Sequence, residues 1–211
     1  PEAYFELGKI AEESGDSDEA LLHYRKSSEL GFGAASHALG EIQFRRGALN
    51  KYFEYELKAA EQGYEPAMRN LAGAYKQGQG TLKNIGKSTH WLLRSAENGN
   101  AESMTKVAMA YVEGYGVAEN PMEGLAWLYV AEFSKNDKAA ALIKSAEAKL
   151  NNSLILMAQD RAKVIIDLIK EGRRTSDSTL SGSLPASTPG QPAPSKPKHE
   201  SRGSGSGAVV S

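Results

Sequence analysis

The sequence predicts an all-α fold, a right-handed superhelical solenoid of antiparallel helix hairpins with a disordered C-terminal tail. Three observations predict it. Gly78-Gln79-Gly80 returns as Gly114-Tyr115-Gly116, Tyr75 as Tyr111 and Trp91 as Trp127, each 36 residues on. A fixed period of roughly 20–50 residues marks a helical repeat array. Apolar residues also recur at three- and four-residue spacing between glycine stops, the pattern of helices that bury one stripe. From residue 172 the composition shifts abruptly to Pro, Ser and Gly.

The elements can be taken in order. Residues 3–13 carry Ala3, Tyr4, Leu7, Ile10 and Ala11 at helical spacing, and Gly15-Asp16 breaks the run. Asp16 with Glu19 forms a capping-box pattern, each side chain satisfying an otherwise orphan backbone N–H. The helix that follows carries Ala20, Leu21, Tyr24, Ser27 and Ser28 and stops at Gly31, where glycine can take a left-handed cap. A second unit copies the first 32 residues on: Leu7-Gly8 becomes Leu39-Gly40, and the Ser27 to Gly31 run becomes Ala59-Ala60-Glu61-Gln62-Gly63. The third unit realigns that run with Ser95-Ala96-Glu97-Asn98-Gly99 at an offset of 36, the four extra residues falling in the turn at 78–81. Asn120-Pro121-Met122-Glu123 opens the second helix of the fourth unit, because proline at the first helical position lacks only an N–H that would be unpaired anyway.

Residues 1–135 thus read as four helical repeats, about 1–32, 33–64, 65–100 and 101–136. A closing pair over 137–172 follows, with Asn136-Asp137 capping a helix at 138–150 and an amphipathic helix at 153–171. The latter places Leu154, Met157, Ala158, Ala162, Ile165, Ile166 and Ile169 on one side. It reads as a degenerate fifth hairpin turning a polar face outward, as solenoid ends require. Residues 173–211 hold five of the eight prolines and ten serines. Such a segment cannot bury enough apolar area to offset backbone ordering, so disorder is expected there. Ser204-Gly205-Ser206-Gly207 has the composition of an added linker.

Composition excludes several function classes. The net charge of −1 argues against a general nucleic-acid binder, which neutralises phosphates with clustered cations. No cysteine is present, which removes disulfides, thiolate metal sites and a cysteine nucleophile. No apolar run approaches the ~20 residues of a membrane span. His23, His37, His90 and His199 share no ligand spacing, so neither a metal nor a cofactor is expected. Gly78-Gln79-Gly80 follows no strand and precedes no Gly-Lys-Ser/Thr, so it reads as a hairpin turn and not a phosphate loop. No nucleophile elbow is present, and catalysis is not expected. Pro1 opens directly on a helical pattern: the compartment is cytoplasmic if it follows an initiator Met, and the envelope if a leader has been removed.

The combination of Ala, Leu-Gly, Tyr, Gly-x-Gly, Trp and Ala-Ala-Glu-x-Gly resembles the Sel-one-like repeat family, relatives of the tetratricopeptide repeats. The landmarks are Leu39 and Gly40; Ala67, Leu71, Tyr75, Gly78, Gly80, Trp91, Ala96 and Gly99; and Tyr111, Gly114, Gly116, Val117, Ala126, Trp127 and Ala131. The first two units lack Gly-x-Gly and Trp and are closer to generic tetratricopeptide hairpins. Trp91 and Trp127 are expected to fill the gaps between hairpins as core residues. The resemblance implies a non-enzymatic protein-interaction scaffold or adaptor in a multiprotein complex, often a bacterial one. It also leaves two alternatives: an accessory protein binding or acting on cell-wall saccharide, or a tail that docks while the repeats anchor it.

In stacks of this kind the first helix of each hairpin lines a concave groove. With Leu7, Leu39, Leu71 and Val107 directed between helices, the groove-facing positions of the first two units are Phe5, Lys9, Glu12, His37, Glu41, Phe44 and Arg45. Those of the next two are Arg69, Lys76, Gln77, Thr105, Met109 and Glu113. Arg45, Arg69 and Lys76 make the middle basic. The expected partner is another protein or peptide, its acidic group read by these cations.

Overall fold

A computed structural model describes residues 1–172; the disorder expected for 173–211 lies outside the described residues. The described residues form α-helices and no strand. In chain order they are α1 (Glu2–Glu13), α2 (Ser17–Glu29), α3 (Gly33–Arg45), α4 (Leu49–Glu61), α5 (Glu65–Gln77), α6 (Ile85–Glu97), α7 (Ala101–Glu113), α8 (Pro121–Phe133), α9 (Ala139–Glu147) and α10 (Asn152–Lys170). Each of α1 to α8 packs on the next, first as the partner within a hairpin and then across to the following hairpin. The result is an all-α solenoid of antiparallel hairpins.

Side-chain caps start five of these helices, α2, α6, α7, α8 and α10. Asp16 accepts from the Glu19 N–H at 3.0 Å, one half of the capping box, while the Asp16 N–H donates to the Ala11 carbonyl at 2.9 Å and not to Glu19. Asn84, Asn100 and Asn120 accept likewise from the Lys87, Ser103 and Glu123 N–H groups at 2.9, 2.9 and 3.1 Å. The two glycines of each Gly-x-Gly have separate jobs. Gly78 and Gly114 end α5 and α7 with φ of 78° and 64°, a conformation that side chains other than hydrogen resist. Gly116 is a contact point: a Cβ there would lie 2.6 Å from the Ile85 carbonyl oxygen. Gly80 approaches the Leu49 carbonyl in the same way. Each long turn therefore seats its second glycine on the first residue of the preceding hairpin's second helix, α4 or α6.

The core runs along the seam between hairpins. Leu39, Leu71 and Val107 are buried at 1, 0 and 0% exposure, but Leu7, their counterpart in the first hairpin, is 45% exposed. The reason is geometric: the others press on the second helix of a preceding hairpin, and the described residues place none before α1. Trp127 is fully buried. Trp91 is half-buried, packing on the cluster of Ala59, Ala67 and Leu71 and edge-on to His90. The two tryptophans are thus not equal partners in the core.

The C-terminal end differs from its expected form. Residues 148–150 fall outside α9, and α9 and α10 each pack on α8 instead of forming a hairpin with one another. This explains why α8 is apolar nearly all round, with Leu125, Ala126, Trp127, Leu128, Val130 and Ala131 all buried. Helix α10 buries Ala158, Ala162 and Ile165. Met157 is 52% exposed, with Leu156 and Val164 beside it, because a helix lying on a single neighbour covers only a narrow stripe. Both ends of the described stack therefore show apolar side chains where a polar face was expected. Arg161 fastens α10 to α8 with a forked pair of bonds to Glu123 at 3.1 and 3.2 Å.

Candidate functional site

A cleft of about 420 Å3 opens between α5 and α7, with α6 as its floor. Helix α5 contributes Arg69, Ala72, Gly73 and Lys76; α6 contributes Ser88, Thr89 and Leu92. Thr105, Lys106, Met109, Ala110 and Glu113 come from α7, and Tyr115 from the turn that follows it. Small residues make the opening. A Cβ on Gly73 would meet nothing within 4 Å, whereas on Gly40 it would meet Glu56 at 3.0 Å and on Gly124 it would meet Val112 at 2.7 Å. Gly73 is thus a helical glycine that faces space.

The floor is chemically quiet. Ser88 donates its hydroxyl proton to the Ala72 carbonyl at 2.7 Å and Thr89 donates to the Tyr115 carbonyl at 2.9 Å. With those groups satisfied, Leu92, Met109 and Ala110 present apolar surface. The rim is mixed in charge. Arg69 donates to Glu65 at 3.0 Å and Lys106 pairs with Glu102 at 2.8 Å. Lys106 holds the Glu102 carboxyl below its usual range, first through that hydrogen bond and then through its charge. Lys76 takes part in no ion pair among the described residues.

Of the thirteen residues expected to face a groove, Arg69, Lys76, Thr105, Met109 and Glu113 meet at this cleft. Phe5, Lys9, Glu12, His37, Glu41, Phe44, Arg45 and Gln77 are not part of its lining. Phe5 packs against the rings of Tyr24 and Phe32 at 5.6 and 5.2 Å, with the Lys9 ammonium 5.8 Å above it. Phe44 is exposed beside Tyr52, and Arg45 is bound to Glu12 at 2.7 Å. The continuous basic middle therefore breaks up: Arg45 pairs with Glu12 and Arg69 with Glu65, leaving Lys76 outside an ion pair among the described residues. The cleft lining that sequence reasoning missed includes the floor from α6, whose Ser88, Thr89 and Leu92 sit on a second helix and not a first one, and Gly73 of α5, Lys106 of α7 and Tyr115.

A second cluster lies between α3 and α4. His37 Nδ1 is 2.7 Å from Glu56 Oε1, and Asn70 Nδ2 donates to Glu56 Oε2 at 3.1 Å. Burial works against protonation of His37, but the hydrogen bond and charge of Glu56 more than offset it and hold its pKa above the usual value. Glu41, one turn along α3, completes a group whose ligand atoms all lie within 4.8 Å of one another. Histidine spacing could not reveal it, since Glu56 is 19 residues from His37. The available signal was an acid on a buried stripe: Glu56 stands between Tyr52 and Ala59-Ala60, all of them buried.

These features define a class of protein, an α-solenoid of helical hairpins that presents a cleft between first helices. The family model described as Sel1 repeat matches residues 1–32, 65–100 and 101–131. These segments are Sel1 repeats, and proteins of the Sel1-repeat family are generally non-enzymatic scaffolds for protein interactions. The matched segments contain α5, α6 and α7, and hairpin α3–α4 falls between them. The fold is similar to that of c5321, a protective antigen present in uropathogenic Escherichia coli strains, with TM-score 0.64 and 24% identity over 92% of this chain. The chain spans 43% of the length of that protein. It is also similar to a Sel1 repeat protein from Oxalobacter formigenes, with TM-score 0.61 and 22% identity, covering 81% of this chain and 73% of that one. No curated protein matches the chain. No described helix is long and apolar enough to cross a membrane.

Proposed function

We propose that this chain is a non-enzymatic adaptor whose α5–α7 cleft holds a peptide or a helix of a partner protein within a bacterial multiprotein assembly. Gly73 carries the reading. A glycine inside a helix costs about 1 kcal/mol relative to alanine, and here no neighbour within 4 Å requires the missing side chain. The space it leaves belongs to a cleft whose volume of about 420 Å3 falls within the range of ligand pockets, roughly 300–1,000 Å3. An apolar floor under a charged rim suits an extended or helical segment that buries one or two aliphatic side chains. Lys76 is the cation left to meet an acidic group on it. The bacterial setting is supported by the two similar solved proteins, both from bacteria. On the same reading residues 33–64 are a degenerate repeat of the array, and 137–172 close it.

A peptide library displayed on phage, selected on the intact chain, tests this. Selected peptides should compete with one another, lose binding to Gly73→Leu, and weaken on Lys76→Glu. Peptides that bind Gly73→Leu as well as they bind the parent protein contradict the cleft as the docking site.

A further inference from the structure

We propose that His37, Glu41 and Glu56 form a binding site for a divalent transition-metal ion of the Zn2+ type, separate from the α5–α7 cleft. The three ligand atoms, one imidazole nitrogen and two carboxylate oxygens, lie within 4.8 Å of one another. Ligands about 2.0–2.2 Å from a zinc ion stand roughly 3.2–3.6 Å apart, so small side-chain rotations bring this set to bonding distance. One imidazole with two carboxylates is a hard-to-borderline donor set that suits Zn2+, Mn2+ or Fe2+ and leaves coordination positions open.

Three observations favour a built site over a chance cluster. Glu56 is 1% exposed, so its carboxylate is fixed in place and cannot swing into water. Asn70 holds its other oxygen at 3.1 Å, the kind of outer hydrogen bond that orients a ligating carboxylate. Gly40 lets α3 come close enough that a Cβ there would stand 3.0 Å from Glu56 Oε1. Glu41 makes no hydrogen bond or ion pair among the described residues, although it stands beside the His37–Glu56 pair. Two carboxylates and one imidazole keep a net negative charge even when His37 is protonated. A divalent cation offsets the repulsion that the second carboxylate creates. His37 and Glu41 stand one turn apart on α3 and Glu56 comes from the facing helix, so the ion would cross-link the second hairpin.

The test is calorimetric titration of the intact, chelator-treated chain with Zn2+, alongside its melting temperature. The expected result is one ion per chain, a higher Tm with zinc, and binding at least roughly tenfold weaker in Glu41→Gln and His37→Gln. Glu41→Gln touches no structural bond and should melt with the parent protein in the absence of metal. Its metal-free Tm therefore guards against a mere folding defect, which Glu56→Gln could not. Absence of saturable one-to-one uptake overturns the site, as does Glu41→Gln binding zinc like the parent chain. In either case His37, Glu41 and Glu56 are an ion pair with a bystander.

Discussion

At the scale of single residues, burial separates side chains that the sequence treats alike. Trp91 and Trp127 occupy the same repeat position, but only Trp127 is wholly enclosed, and its Nε1 has no hydrogen-bond acceptor among the described residues. Trp127→Ala should cost about 3–5 kcal/mol and Trp91→Ala about 1–2 kcal/mol, measured by urea unfolding. Glu12 offers a test in pH. Its carboxyl is held below the unfolded value of 4.5 by hydrogen bonds from Arg45 and then Tyr24, with burial opposing. A lowered pKa means stabilisation that is complete above pH 4.5 and is lost as the pH falls through the folded value. Tm measured against pH should therefore fall less steeply in acid for Arg45→Ala than for the parent chain. The pairing of Arg45 with Glu12 was not legible in the sequence, because 33 residues separate them.

At the scale of elements, most starts and stops were legible because they are local chemistry. Asp16, and Asn120 with Pro121, cap their helices as their positions require. What was not legible is which helix lies on which once the repeat pattern fades. Alanine-rich α9 and amphipathic α10 look like another hairpin in sequence, yet both choose α8, whose surface is apolar nearly all round. The Arg161–Glu123 fork fixes that choice, since Glu123 is largely buried and would be left as an uncompensated charge. Arg161→Ala should cost roughly 3 kcal/mol and selectively raise amide exchange along α10. Equal protection of α10 in variant and parent would show that apolar contacts alone hold the helix.

At the scale of the whole molecule, the stack behaves as a line of neighbours. In such an array a residue matters as much as the seam it occupies. Leu71→Ala should cost about 3 kcal/mol, while Leu7→Ala, at the same repeat position beside open solvent, should change stability by less than about 0.5 kcal/mol. The repeat class could be read from recurring glycines and aromatics, because those residues build the seam. The cleft could be read only in part. Arg69, Lys76, Thr105, Met109 and Glu113 follow from counting along first helices, but the floor from α6 and the vacancy over Gly73 depend on how far apart α5 and α7 stand. The measurement that bears most directly on the α5–α7 cleft as docking wall is hydrogen exchange of the intact chain with and without a selected peptide. Protection concentrated on α5, α6 and α7 is the predicted result. Protection confined to α1 or α10, with α5 and α7 exchanging as in the free chain, would contradict it.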